Sequence, residues 1–143
     1  MIRILSGGKK HDPWVAEAVK EYEKRLKKPF DVTWEFFDDE KLAKYLDEWR
    51  FKPTEYVIIT DERGKNISSP EFSKKLEDVF NSSRSVAIVI GGAYGVPKEA
   101  RNKADFVWSF SNLVFPHQLM RAMLIEQIYR AGEISKGSNY HHA

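Results

Sequence analysis

The sequence predicts an α/β fold: a mostly parallel β-sheet with helices on both faces, in a single domain spanning residues 1–143. Strand-like and helix-like stretches alternate along the whole chain. Two of the strands, Tyr56 to Ile59 and Val86 to Ile90, are continuously apolar, as expected when a parallel sheet is covered on both sides. The second of them runs directly into Gly91-Gly92-Ala93-Tyr94-Gly95. In open α/β sheets, ligands bind beyond the carboxyl ends of strands.

Each element follows from its local pattern. Met1 to Leu5 is a short apolar strand, and Ser6-Gly7-Gly8-Lys9-Lys10 turns the chain. Asp12 and Pro13 suit the cap and first residue of a helix. Trp14, Val15, Ala18, Val19, Tyr22 and Leu26 recur at helical spacing through about Lys27, and Pro29 ends that run. Val32, Trp34 and Phe36 alternate with polar Thr33 and Glu35, a strand with one wetter face. Asp39 to Phe51 is a charged amphipathic helix with Leu42, Tyr45, Leu46 and Trp49 on one side. After the strand at 56–59 comes a loop, Thr60 to Ser68, then a helix with Ser69 as cap and Pro70 behind it. A short helix (Pro97 to Lys103), a last strand (Phe106 to Ser109) and a long apolar helix from Pro116 complete the alternation. There is no repeat and no linker.

Bulk properties narrow the function classes. A chain of 143 residues buries about 68–70% of its unfolded surface and needs no staples. With 42% apolar and 31% charged residues, it is not a disordered chain. It has no cysteine, so disulfides and thiolate metal sites do not arise, and no His spacing predicts a metal site. No apolar run matches a membrane span and the first ten residues lack a signal-like core, so a cytoplasmic protein without membrane contact is expected. The net charge of +2 comes from 23 basic and 21 acidic residues, so RNA contact would have to come from local clusters.

The glycine loop breaks the G-x-G-x-x-G spacing and no P-loop occurs anywhere, so alone it reads equally well as a structural turn. Thr60-Asp61-Glu62-Arg63-Gly64-Lys65 is a charged loop, ordinarily solvated surface, yet it too leaves a buried strand. Three strand exits, after Ile59, Ile90 and Ser109, can wall a pocket for a ligand with an adenine-sized apolar part and a charged tail. The helix from Pro116 places Leu119, Met120, Ala122, Met123, Leu124, Ile125 and Ile128 around most of its circumference. A central core helix would explain that, and a dimer seam explains its breadth better. His117 and Arg121 share a face near its start, and Glu126 with Arg130 reads as a simple intrahelical pair. The tail Tyr140-His141-His142 combines stacking and polar groups suited to a nucleobase, with a frayed terminus as the plain alternative.

These segments together resemble the RlmH family of ribosomal RNA methyltransferases, a branch of the SPOUT superfamily, over nearly the whole chain. The likeness rests on D-E-R-G-K with Ser-Ser after it, the I-G-G-x-x-G loop, S-F-S, F-P-H-Q, L-I-E-Q-I-Y-R-A and the terminal Y-H, in order. It implies a C-terminal trefoil knot within about residues 86–135, a homodimer, and S-adenosylmethionine as methyl donor without a metal. It implies N3 of a pseudouridine in helix 69 of 23S rRNA, on the assembled ribosome, as acceptor. By position it implies a cofactor pocket of Thr60, Gly91, Phe110, Ser111, Asn112, Leu113, Val114 and Phe115. Tyr140 and His141 would position substrate, reaching the partner subunit's pocket, with His141 also a candidate for proton handling. Arg121 would stabilise charge on the base or hold a phosphate. No residue stands out as the general base. The chain departs from the family where His142 replaces a basic residue, Ala143 is added, Val114 stands for a common Thr, and the connection after Phe37 is short. Two alternatives accompany this expectation: a ribosome-associated RNA-binding protein of the same fold with little or no methyl transfer, and the same chemistry on another RNA such as tRNA.

Overall fold

The structure, a computed structural model, describes residues 1–142, so the added Ala143 lies outside the described residues. Five strands and five helices alternate: β1 (Ile2–Gly7), α1 (Pro13–Glu23), β2 (Val32–Phe37), α2 (Asp39–Glu48), β3 (Glu55–Lys65), α3 (Ser69–Asn81), β4 (Ser85–Ile90), α4 (Lys98–Lys103), β5 (Phe106–Trp108) and α5 (His117–Ser135). The strands form one sheet in the order β2-β1-β4-β3-β5. Every neighbouring pair is parallel, so the sheet is wholly rather than mostly parallel.

The continuous apolar runs are explained by the two faces of the sheet. Ile58, Val86, Ile88 and Ile90 point to one side, where they pack with Phe72 and Leu76 of α3 and Leu124 and Ile128 of α5. Val57, Ile59, Ala87 and Val89 point to the other, against Leu42 and Leu46 of α2 and Ala100 of α4. The side-chain period of a strand is two, so a strand buried on both faces has no position left for polar residues. Val15 and Val19 of α1 close against Ile125 of α5.

Helix α5 lies beside α3 in a fixed register. Ser69 Oγ donates to Gln127 at 2.7 Å, Ser73 Oγ to the Ala131 carbonyl at 2.8 Å, and Ser135 Oγ to Glu77 at 2.5 Å. Both members of each rung advance by four residues, one helical turn, so the two helices run parallel.

Several boundaries differ from those read in the sequence. Strand β3 does not end at Ile59: Thr60 and Lys65 both pair with Trp108, and the four residues between them bulge out. The charged loop is thus an excursion within a strand. The cap of α3 is Ser68, not Ser69, because Ser68 Oγ accepts from the Glu71 amide and the Glu71 carboxylate accepts from the Ser68 amide. Ser69, released from capping, bonds to α5. Helix α2 stops at Trp49, which is left-handed at φ 49° with its ring 4.8 Å from Phe51. Helix α5 extends to Ser135, whose hydroxyl bonds to Glu77.

Replacing Ser68 with Ala is expected to lower stability by about 1 kcal/mol, the usual worth of a side-chain cap. Urea denaturation of Ser68→Ala reads this directly.

Candidate functional site

A parallel sheet sends all its carboxyl ends to one edge, so the exits of β1, β3, β4 and β5 lie together. The chain leaves β1 toward β2 on one side, whereas β4, its other neighbour, leads to β5 beyond β3. The crevice between β1 and β4 is therefore a topological switch point. There the backbones of the two exits nearly touch: a Cβ on Gly7 would stand 2.6 Å from the Gly92 amide nitrogen, so no larger residue fits. Beside this contact opens a cavity of about 710 Å³, between the glycine loop, the start of the β3 bulge and the segment running from β5 into α5. Its size is that of a pocket for a cofactor-sized ligand.

Each wall is held by identifiable bonds. Thr60 Oγ1 is buried and donates to the Val89 carbonyl at 3.0 Å, joining β3 to β4 at the rim. Asp61 is buried, which alone would raise its carboxyl. The hydrogen bonds from Arg63 and the charges of Arg63 and Arg101 outweigh this and hold it below the usual carboxylate range. The segment after β5 is pinned by Asn66, whose Nδ2 donates to the Ser109 carbonyl at 3.0 Å and the Phe110 carbonyl at 3.2 Å. Ser109 Oγ donates to the Ser111 carbonyl at 2.8 Å, and the Leu113 amide donates to Ser111 Oγ at 3.1 Å. Around this rigid frame the apolar rim is open: Leu113 is 67%, Val114 77% and Tyr94 91% exposed.

Of the residues expected at the cofactor, Thr60, Gly91, Phe110, Ser111, Leu113, Val114 and Phe115 line this cavity. Asn112 does not: it is exposed and is not part of the lining. His117 and Met120 of α5 line it as well, though the sequence reading did not place them there. Asn66 carries no motif that would mark it as the clamp of this loop. Among the described residues no group of three or more His, Cys, Asp or Glu side chains gathers as a metal site, and no helix is long and apolar enough to cross a membrane.

Arg121 is not on the surface. It is 0% exposed, with Nε donating to Ser6 Oγ at 2.8 Å and Nη2 to the Gly7 carbonyl at 2.9 Å. Its Nη1 lies 3.4 Å from His11 Nδ1, and its Cζ 4.9 Å from the centre of the Phe36 ring. With two donors committed to the end of β1, the guanidinium is held inside the chain rather than presented on its surface. Its effect is electrostatic too. Burial, then the Arg121 charge, hold both His11 and His117 below the ordinary imidazole value; at His117, Asp12 and Asp39 oppose this in part.

The tail occupies a different region. The Tyr140 ring packs on Tyr129 at 4.8 Å and under Arg130 at 4.9 Å, and His141 Nδ1 lies 3.0 Å from Arg130 Nη1. Burial, then Glu126 and Tyr22, push the Tyr140 hydroxyl up to about 12, so it stays protonated at neutral pH. Arg130 is thirteen residues along α5 from His117, which at 1.5 Å per residue is about 20 Å. Within one chain, then, Tyr140 and His141 are not brought to the cavity.

A family model described as "Predicted SPOUT methyltransferase" matches residues 1–141. The ribosomal RNA large subunit methyltransferase H of Desulfitobacterium hafniense is 42% identical, the match covering 98% of this chain and 98% of that protein. The protein of the same name from Lactobacillus acidophilus is 38% identical over the same shares. Among solved structures, a probable methylase family protein from Haemophilus influenzae superposes with a TM-score of 0.60 at 15% identity, covering 99% of this chain and 70% of that one, a likeness of fold.

Two outcomes are expected from the buried cluster. Arg121→Met strips the donor from the Gly7 carbonyl and Ser6, and should lower stability by about 2 kcal/mol in urea denaturation. In the unfolded chain His11 and His117 protonate near 6.5, above their folded values, so the unfolded state binds the extra protons. Stability is then full above that pH and falls as pH drops below it. Thermal unfolding should show a lower melting temperature at pH 5.5 than at pH 7.5, with a smaller difference in His11→Asn/His117→Gln.

Proposed function

The chain belongs to the SPOUT methyltransferase family, in the branch of ribosomal RNA large subunit methyltransferase H, and we propose that it methylates large-subunit rRNA using S-adenosylmethionine. The acceptor is N3 of a pseudouridine in helix 69 of 23S rRNA, presented by the assembled ribosome. One observation above the others supports this reading: the expected cofactor segments, far apart in sequence, wall one cavity of about 710 Å³ at the switch point.

The cavity suits such a donor. Leu113, Val114 and Phe115 offer apolar surface to an adenine, and the glycine loop lets a ligand approach the backbone closely. Asn66 and Ser111 hold the 109–113 segment in place before any ligand arrives, so little ordering remains to be done on binding. When bound, the cofactor supplies a methyl group activated by its positive sulfur. The protein then has to align the acceptor nitrogen with that methyl and take up the nitrogen's proton.

A homodimer completes the site. Residues of α1 and α5, among them Ala18, Tyr22, Ala122 and Met123, line a groove of about 620 Å³ that a second copy would cover. The separation of about 20 Å between a chain's tail and its own cavity supports Tyr140 and His141 serving the partner subunit's pocket. The trefoil knot is part of the same reading, within about residues 86–135. It is supported by the return of the chain from edge strand β5, past the glycine loop, to α5 between α1 and α3. The near-neutral net charge of +2 suits a substrate offered by a large assembly better than capture of naked RNA.

Mass mapping of helix 69 from cells lacking this gene should find the pseudouridine there unmethylated; a methyl group retained at that position would reject the substrate. A second outcome concerns the tail. Gly91→Val, which blocks the pocket, and Tyr140→Ala/His141→Ala, which strips the tail, should each be inactive alone. Mixing the two as exchanged dimers should restore about a quarter of wild-type methyl transfer, because half the dimers are mixed and each carries one complete site. No recovery would mean that each tail serves its own pocket.

A further inference from the structure

Resting on the methyltransferase reading, we propose that His117 is the general base, its imidazole accepting the proton from the ring N–H of the RNA base that is methylated. His117 is the histidine that lines the cavity, at its edge where α5 begins. The other histidines are placed otherwise: His11 lies edge-on to Trp34 and Phe36, His141 is bound to Arg130 about one helix length away, and His142 is exposed beside it. Among the described residues the hydrogen bonds of histidine rings are those of His11 and His141; His117 makes none, and with Nε2 against Gly8 it is Nδ1 that is left for a substrate.

The ring is nevertheless fixed. It is half-buried and packs on Gly8, where φ is +91° and a Cβ would stand 2.6 Å from His117 Nε2. Next to it, Gln118 Oε1 accepts from the Asp12 amide at 3.0 Å and its Nε2 donates to the Lys10 carbonyl at 3.4 Å, so the first turn of α5 is tied to the loop after β1. A base must be within hydrogen-bond reach of the proton it takes, and a clamped ring at the rim of the donor pocket meets that demand.

The surrounding charges suit the role. Burial and Arg121 keep the ring neutral, and hence able to accept, at physiological pH. Asp12 from the start of α1 and Asp39 from α2 face it and moderate the penalty once it is charged. Across the cavity the β3 bulge contributes Asp61, Glu62 and Arg63, with Arg63 committed to Asp61. The step balances: the N–H bonding pair becomes the new N–methyl bond, the proton passes to His117, and the sulfur–methyl pair leaves with the neutral thioether.

The test is single-turnover methyl transfer to ribosomes lacking the modification, from pH 5.5 to 9, with calorimetry of S-adenosylhomocysteine on each protein. Wild type should show a rate that is flat above the His117 titration and falls below it. His117→Gln and His117→Asn should lose at least about 100-fold at pH 7.5, rise steadily toward pH 9, and bind S-adenosylhomocysteine within about three-fold of wild type. Imidazole NMR of the wild-type dimer, independent of turnover and of any variant, should show His117 neutral at pH 7.5. A protonated His117 there, variants within about three-fold of wild type with its pH profile, or a rate loss matched by lost cofactor affinity would each overturn the assignment. Absence of transfer by wild type would instead overturn the rRNA reading, and the assignment with it.

Discussion

The guanidinium of Arg121 is buried without a carboxylate, and its donors are spent on Ser6 Oγ and the Gly7 carbonyl at the end of β1. Neutral acceptors satisfy it, which makes burial tolerable but leaves its charge uncancelled. That single contact fixes where α5 starts relative to the sheet. The position of His117 follows from it, as does the course of the 109–116 segment, strung between β5 and α5. Burial, and after it the Arg121 charge, hold both nearby imidazoles below their ordinary value. A helix held only by apolar packing could slide by a turn; three rungs to α3 and this anchor to β1 remove that freedom.

The pocket is a product of the same geometry. An all-parallel sheet collects its exits at one end, and the touching glycines of β1 and the loop after β4 let two exits sit closer than side chains permit. The walls are rigid through Thr60, Asn66 and Ser111, whereas the rim residues Tyr94, Leu113 and Val114 are left in water. Exposed apolar surface on a braced frame is what a site pre-formed for a flat apolar ligand looks like.

Much of this was legible in the sequence. The continuous apolar strands imply a sheet covered on both faces, and the three strand exits mark the walls of the cavity. The ordered motifs gave the family. What could not be read were contacts set by long-range packing. Arg121, one turn after His117, gives no local sign that it is buried over the end of β1. Ser68 and Ser69 are equivalent candidates for a cap until the register against Gln127 decides between them. The bulge within β3 depends on pairing with Trp108, forty-odd residues later, and Asn112 is separated from its pocket-lining neighbours only by the turn that Ser111 makes.

On the proposed reading the exits of β3, β4 and β5 form one methyl-donor pocket with His117 at its edge. A crystal structure of the protein with S-adenosylhomocysteine tests it most directly. The adenine is expected against Leu113, Val114 and Phe115, the backbone of Gly91 in contact with the ligand, and the sulfur facing His117. Density for the ligand anywhere other than this cavity, or a sulfur directed away from His117, would contradict it.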